Sequence, residues 1–301
     1  MEFKKLLSEM LGTMLLVLFG CGTAAMAQCS QMNLIGYVAT AFAFGLTLTC
    51  IITIFGKVSG AHVNPAVSLA MFLDKQITFV ELLLYIVAQV IGAIEGAYLV
   101  RTFAGVNNMV YGINTMFEND FIKTSCLEMI MTAVFILVIL CVSKHKDDEK
   151  NPIYIGLALT TVHLFGICFT GTSVNPARTF GMNLIYGLDM LEDMPAFVIG
   201  PMLGAVVAWL IFTFIINQEK EEQQIVPVQK KSKKKMNVVI EDDKQEEKIV
   251  KRQSIEQPVQ RKAELQRTIP QTKLVQRVEQ PQSRTVQTTS EDDGIEFDFF
   301  E

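Results

Sequence analysis

Long apolar runs separated by short polar breaks fill the first 217 residues of the chain. A helix needs about 20 apolar residues to cross the hydrocarbon core of a bilayer. Six runs are long enough, and they predict transmembrane helices at about residues 6–27, 34–55, 79–103, 121–142, 153–169 and 196–216. The first run carries Glu9 and lacks a small-x-small cleavage pattern, so we interpret it as a retained helix rather than a signal peptide.

Two further apolar segments, residues 64–72 and 175–186, are too short to cross a membrane. Each begins with the same three residues, and the two copies are Asn64-Pro65-Ala66 and Asn175-Pro176-Ala177. Asn is a favoured N-cap and Pro suits the first helical position, so each motif predicts the start of a short helix. A glycine that allows the chain to turn stands shortly before each, at Gly60 and Gly171.

The apolar region contains an internal repeat of three spans. Residues 9–13, Glu-Met-Leu-Gly-Thr, correspond to residues 128–132, Glu-Met-Ile-Met-Thr. Gly45 and Gly156 begin matching segments, and each stands 19 residues before the Asn of its Asn-Pro-Ala motif. Because three spans are an odd number, the second copy must cross the membrane in the opposite sense, which is an architecture of transport proteins.

Inversion brings the two short helices in from opposite faces, so that their N-termini meet near the middle of the membrane. Irregular backbone at that depth is tolerated where it borders a water-filled cavity, so we expect a pore there. The amides of Asn64 and Asn175 can donate to a passing oxygen, while both helix dipoles repel cations. The alternative is a pair of ordinary N-caps in surface loops, which two motifs at matching places in a repeat disfavour.

Arg178 stands three residues after Asn175, in the first turn of the second short helix. A buried membrane Arg is costly and is therefore a candidate functional residue. Its guanidinium can donate to water while its charge repels cations, and the structural alternative is an Arg that reaches the membrane interface. His163 is the only histidine in the fifth span, where a lone His is more often a core residue.

The motif segments resemble those of the aquaporin, or major intrinsic protein, family. They are Ser-Gly-Ala-His-Val-Asn-Pro-Ala-Val at residues 59–67 and Gly-Thr-Ser-Val-Asn-Pro-Ala-Arg at residues 171–178. The resemblance covers about residues 3–217. It implies an all-α membrane protein with six transmembrane helices and two re-entrant half-helices in an inverted repeat, assembled as a homotetramer with one pore per subunit. It also implies a selectivity filter, formed by Phe44, His163, Thr172 and Arg178.

The filter resembles that of the water-selective branch, because glycerol-conducting members usually carry a small residue in place of His163. Thr179 stands where glycerol channels carry Asp, and Phe197 stands where they carry Pro. Val198 departs from the water-channel pattern, which often has Trp at this position. The resemblance therefore implies a passive water channel with Phe44 as a wall and His163 as a donor. The alternatives are a broader channel for glycerol or ammonia and, in another class, an ion-coupled secondary transporter.

Glu9 and Glu128 are carboxylates at equivalent places in the two repeats. An unpaired buried charge is expensive, so we expect each to accept hydrogen bonds from the loop that leads into a half-helix. A proton relay is the alternative role. We interpret His62, two residues before Asn64, as a residue that fixes this loop or lies near a gate.

Charge divides the chain into a membrane region, residues 1–217, and a tail, residues 218–301. The first contains 10 Lys and Arg and 14 Asp and Glu, whereas the much shorter second contains 16 and 17. Seven of the eight lysines of the membrane region fall on one side, and they are Lys4, Lys5, Lys57, Lys75, Lys144, Lys146 and Lys150. This bias predicts that both termini are cytoplasmic, in a multi-pass protein that we expect in the plasma membrane.

The tail is rich in Gln, Lys and Glu and lacks a sustained apolar period, so we expect it to be disordered. Its basic cluster at residues 230–235 predicts either contact with anionic lipid or a solvated run, and its acidic and aromatic end at residues 295–301 predicts a docking peptide. All six cysteines lie in the membrane region without a CxxC motif, which favours small buried hydrophobes over a disulfide framework or metal site. We expect no cofactor, no nucleic-acid partner and no enzymatic activity.

Overall fold

The computed structural model describes residues 3–29, 33–144 and 150–217. The helices are α1 (Phe3–Leu16), α2 (Gly22–Met26), α3 (Leu34–Ser59), α4 (Pro65–Leu73), α5 (Phe79–Ala104), α6 (Val106–Met109), α7 (Phe121–Ser143), α8 (Asn151–Thr170), α9 (Pro176–Tyr186) and α10 (Met194–Ile211). The described residues contain no β-strand. Lys146 and the tail, including the basic cluster and the closing segment, lie outside the described residues.

Six helices are long and apolar enough to cross a membrane, as the sequence predicted. They occupy Phe3–Met26, Leu34–Ser59, Phe79–Ala104, Phe121–Ser143, Asn151–Thr170 and Leu188–Ile216. Most extend beyond the predicted runs because their first or last turn contains polar residues that apolar counting omits. The first span is not a uniform α-helix, since a π-helical turn at Val17–Cys21 joins α1 to α2. No feature of the apolar pattern had indicated this turn.

Both short helices begin at the proline of an Asn-Pro-Ala motif. Asn64 caps α4, and its side-chain oxygen accepts from Ala66 N at 2.8 Å. Asn175 caps α9 and accepts from Ala177 N at 3.1 Å. With nine and eleven residues, α4 and α9 are too short to span a membrane and form the two half-helices.

Small residues allow the spans of each repeat to pack at close range. A Cβ atom on Gly92 of α5 would overlap the carbonyl oxygen of Met10 in α1. At the matching place in the second repeat, a Cβ on Gly204 of α10 would lie 2.6 Å from the carbonyl oxygen of Met129 in α7. Since Met10 and Met129 follow the paired glutamates directly, the repeat in the sequence is also a repeat in helix packing.

Apolar side chains dominate the outer faces of the spans, and one carboxylate interrupts them. Glu95 is exposed on α5, beside Ile91 and Tyr98, which are also exposed. An acidic residue near the centre of a membrane helix costs about 2.5–3.5 kcal/mol on insertion scales.

Cys50 and Cys126 are exposed too, so the prediction of buried cysteines is wrong for these two, although Cys21 and Cys29 are buried.

Candidate functional site

Glu9 is fully buried and accepts four hydrogen bonds from the segment that leads into α4 and from α5. Its Oε1 accepts from Ser59 Oγ at 2.6 Å and from His62 N at 2.9 Å. Its Oε2 accepts from Val63 N at 2.7 Å and from Gln89 Nε2 at 2.8 Å. These donors offset the cost of burying the carboxylate, and their bonds tie the loop to Glu9.

Glu128 repeats this arrangement before α9 and is also fully buried. Its Oε1 accepts from Thr170 Oγ1 at 2.7 Å and from Ser173 N at 2.9 Å, and its Oε2 accepts from Val174 N at 2.8 Å. The matching distances in the two repeats differ by 0.1 Å or less. Glu128 has no counterpart of the Gln89 bond, because Pro201 stands at that place in the sequence.

The two glutamates hold backbone conformations that valine side chains disfavour. Val63 and Val174 have φ angles of 45° and 47°, in the left-handed region that a β-branched residue rarely enters. Each such residue costs on the order of 1–3 kcal/mol, so it persists only where its surroundings determine it. Here the valine N–H groups donate to Glu9 and Glu128, and the valine carbonyls are turned toward the opposite repeat.

The half-helices are joined at their N-termini by reciprocal hydrogen bonds. Asn64 Nδ2 donates to Val174 O at 2.7 Å, and Asn175 Nδ2 donates to Val63 O at 2.8 Å. An amide nitrogen carries two hydrogens, so each Asn retains one for another acceptor. Both asparagines line one cavity, and they cap the two helices whose positive N-termini meet there.

One cavity connects the paired asparagines with the predicted filter. Its wall includes Leu16, Phe44, Leu48, His62, Val63, Asn64, Phe135, Leu159, His163, Ser173, Val174, Asn175 and Arg178. Apolar side chains from several spans form much of this wall, and the polar groups are concentrated at the half-helices and at one end. Thr172, the fourth predicted filter residue, is fully buried beside the cavity and is not among the residues that line it.

Phe44, His163 and Arg178 meet at that end of the cavity. The Phe44 and His163 rings stack with centroids 4.2 Å apart and planes 26° apart, and the Arg178 guanidinium carbon lies 5.3 Å from the Phe44 centroid. All three side chains are at least 98% buried. The three side chains form a compact polar and aromatic cluster, here called the constriction, on an otherwise largely apolar wall.

The orientation of His163 corrects one detail of the sequence interpretation. Its Nδ1 lies 2.9 Å from Leu159 O, and a carbonyl oxygen can only accept, so Nδ1 carries the hydrogen. In the neutral ring Nε2 is then an acceptor rather than the expected donor. This Nε2 is buried and has no hydrogen-bond partner among the described residues. A molecule in the constriction can therefore donate to His163 while it accepts from Arg178.

Asn114, which the sequence did not single out, holds Arg178 in place. Arg178 Nη1 donates to Asn114 Oδ1, and Thr179 Oγ1 donates to the same oxygen at 2.7 Å. Asn114 is fully buried, and its own amide donates to Thr170 O at 2.9 Å. Asn114 lies 64 residues from Arg178 in a loop of irregular structure, so no local pattern could have revealed the contact.

His62 also lines the cavity. Its Nδ1 lies 3.2 Å from Ser68 Oγ, and Gln89 Nε2 donates to the same hydroxyl at 2.9 Å. The edge of the His62 ring packs on Tyr85, with centroids 5.2 Å apart. These contacts tie His62 to α4 and α5.

A cavity between inverted half-helices, inside a bundle of six membrane-spanning helices, defines a multi-pass channel protein. The chain belongs to the major intrinsic protein family, whose profile matches residues 1–212, and it is therefore a channel for small solutes. Its fold is similar to the X-ray structure of the aquaglyceroporin from Plasmodium falciparum, with a TM-score of 0.62. That comparison covers 71% of this chain and 96% of the other at 24% sequence identity, which shows the fold alone.

Proposed function

We propose that the protein is a passive water channel whose selectivity is set by Phe44, His163 and Arg178. The observation that carries this proposal is the stacking of His163 on Phe44 at 4.2 Å, beside the Arg178 guanidinium. The stacked rings of Phe44 and His163 occupy space that the carbon skeleton of a solute such as glycerol would need. Water requires only one donor and one acceptor here, which Arg178 and His163 supply.

A channel for glycerol is the second candidate, because the structure that this fold matches is named as an aquaglyceroporin. The argument against transferring that substrate is local: the bulky imidazole of His163 fills the place where a wider channel needs a small residue. The fold is shared by both kinds of channel, so selectivity has to be argued from the constriction.

Exclusion of cations follows from the electrostatics of the same cavity. The fixed charge of Arg178 stands at one end, and the positive N-termini of α4 and α9 meet at the asparagines. A cation would lose hydration on the apolar wall and meet positive potential twice. Water can instead accept from Asn64 and Asn175 in passing.

The proposal extends to assembly and placement. We infer a homotetramer with one pore per subunit, located in the plasma membrane with both termini in the cytoplasm. The lysine bias of the loops supports the orientation, and the family resemblance of the motifs supports the tetramer. We expect the tail to take no part in the proposed pore, since the asparagines and the filter residues that carry the proposal all lie within residues 1–217.

Permeability measurements on the purified full-length protein in liposomes test the selectivity. After an osmotic step with an impermeant sugar, stopped-flow light scattering should show fast shrinkage compared with empty liposomes. In a glycerol gradient, the same liposomes should reswell no faster than empty ones. Rapid glycerol entry would establish the second candidate, and absence of rapid water flow would reject the water channel.

A further inference from the structure

We propose that Gly20, which lies outside the constriction, is a positioning residue that sets its width by fixing the Phe44 ring. This inference rests on the proposed role of Phe44 in selectivity. A Cβ atom on Gly20 would lie 2.5 Å from Cε1, 2.6 Å from Cδ1 and 2.8 Å from Cζ of Phe44. Real Cβ atoms do not approach ring carbons this closely, so the Phe44 ring occupies the volume that any other side chain at position 20 would fill.

The other neighbours of the Phe44 ring belong to the constriction, and the ring also lines the cavity. His163 stacks on it at 4.2 Å, and the Arg178 guanidinium carbon lies 5.3 Å from its centroid. The ring is 2% exposed. A side chain at position 20 therefore displaces Phe44 toward His163, Arg178 and the cavity, and this displacement narrows the opening.

The π-helical turn at Val17–Cys21 presents Gly20 to Phe44. A π-turn adds one residue to a helical turn, and such turns are frequent at functional sites. Val17 and Cys21 within it are fully buried, whereas Phe19 is 54% exposed on the outer face. The turn thus places Phe19 on the outer face and Gly20 against the aromatic ring of Phe44.

The second repeat lacks this pair. Aligning Glu9 with Glu128 places Ile139 opposite Gly20, and aligning Gly45 with Gly156 places Ile155 opposite Phe44. The first repeat therefore has a glycine and a phenylalanine where the second repeat has two isoleucines. The first repeat is also the one that supplies Phe44 to the constriction. Within the described residues, the π-turn of the first span also has no counterpart in α7.

Gly20→Ala tests the proposal, with Gly22→Ala as its matched control. Gly22 is two residues away in the same span, and a Cβ there meets only Val100 Cγ2, at an ordinary 3.6 Å. We expect Gly20→Ala to lower the water permeability per assembled channel by about threefold or more, because water flow falls steeply as the narrowest part of a pore becomes narrower. Gly22→Ala should match the parent.

A second substitution distinguishes narrowing from misfolding. Gly20→Ala combined with Phe44→Leu should recover water permeability relative to Gly20→Ala alone, since the smaller side chain relieves the overlap. If Gly20→Ala conducts like the parent, or if Phe44→Leu fails to rescue it, the positioning role is wrong. If Phe44→Leu alone changes neither water nor glycerol flux, the proposed selectivity site itself is wrong.

Glu95 carries a separate inference: we propose that its face of α5 binds a membrane-spanning helix of another protein that bears a Lys or Arg. Within the described residues, Glu95 makes no hydrogen bond or ion pair and is exposed. At about 1.5 Å per residue, it lies roughly 13 Å from the Ala104 end of α5, inside the apolar part of the span. An intramembrane carboxylate of this kind calls for a partner group.

The fold itself does not require the carboxylate. Gln89, Gly92 and Ala93 of α5 correspond to Pro201, Gly204 and Ala205 of α10, which places Val207 opposite Glu95. The second repeat therefore packs the equivalent helix with an apolar residue at this position. The charge is an addition to one outer face rather than a part of the helix packing.

A second copy of this chain does not supply a basic partner at that depth. The exposed basic residues of the described spans all lie within three residues of a helix end, and they are Lys4, Lys57, Arg101 and Lys123. Arg101 also donates to Ile185 O at 3.0 Å. Arg178 is buried in the cavity wall. Charge complementarity thus favours a different protein as the occupant.

Association with a synthetic helix tests this surface. The probe is a single-span Leu-Ala peptide with one Lys nine residues from its end, and its control carries Leu there. In neutral lipid vesicles containing the donor-labelled full-length protein, energy transfer to the labelled Lys peptide should report association about tenfold stronger than to the control. Glu95→Val should abolish the difference, while Glu95→Gln should retain part of it. Equal association of both peptides with the parent, or an unchanged preference in Glu95→Val, would overturn the proposal.

Discussion

Glycerol permeability is expected to rise by about tenfold or more when His163 is replaced by Gly, a change equivalent to lowering the barrier by about 1.4 kcal/mol. The substitution removes the ring that stacks on Phe44 at 4.2 Å and leaves Arg178 held by Asn114. Water permeability should persist, because the asparagines and the guanidinium remain. Light scattering with a glycerol gradient and with an impermeant osmolyte measures both fluxes on one preparation.

Thr161→Gly is the matched control for this substitution. Thr161 lies two residues earlier on α8, is exposed on the outer face and is absent from the cavity wall. It introduces the same glycine penalty into the same helix, about 1 kcal/mol relative to Ala, without touching the constriction. Glycerol flux in a well-folded His163→Gly channel that equals the flux of the parent would locate the size barrier elsewhere.

Loss of folded protein is the expected result of replacing Glu9 with Leu. The leucine leaves four buried donors unpaired, from Ser59, His62, Val63 and Gln89, and each costs about 1–3 kcal/mol. Glu128→Leu abandons three donors and should be less severe. Thermal unfolding in detergent, followed by size-exclusion chromatography, should rank the parent first, then Glu128→Leu, then Glu9→Leu.

A glutamine at either position should lower the unfolding temperature less than leucine does, because it keeps one acceptor oxygen. Some loss remains, since its amide nitrogen faces N–H donors. Glu118→Gln serves as the control, since this side chain is 55% exposed and pairs only with Lys123. Surface pairs of this kind contribute little to stability. Unfolding temperatures for Glu9→Leu equal to those of Glu118→Gln would show that the carboxylate does not support the loop.

The sequence predicted the parts of the fold that depend on local chemistry. Apolar length identified six spans, and the Asn-Pro pairs located α4 and α9 within one residue of their starts. Equivalent glutamates in the repeat pointed to the loops that they hold. Each of these signals is carried by residues close together in the chain or by the repeat itself.

Features that depend on distant contacts could not be predicted. Asn114 acts through Arg178 and Thr179 across more than 60 residues, and Gly20 acts through the Phe44 ring. The His163 hydrogen had to be assigned from its backbone acceptor, Leu159 O. The apolar pattern does not predict such pairings. It indicates whether a residue lies on the inner or the outer face of its helix, but not which distant residue it contacts.

The reciprocal asparagine bonds also have a consequence for the order in which the chain matures. Glu9 and Glu128 find their partners within their own repeats, whereas Asn64 and Asn175 bond across to Val174 and Val63. A ribosome delivers the first half before the second exists. The newly made first half can therefore form the bonds between Glu9 and its loop early. The acceptor for Asn64 lies more than 100 residues downstream and is made later. Completion of the pore is thus a late event in biogenesis, so we expect a chain that ends before Val174 not to conduct.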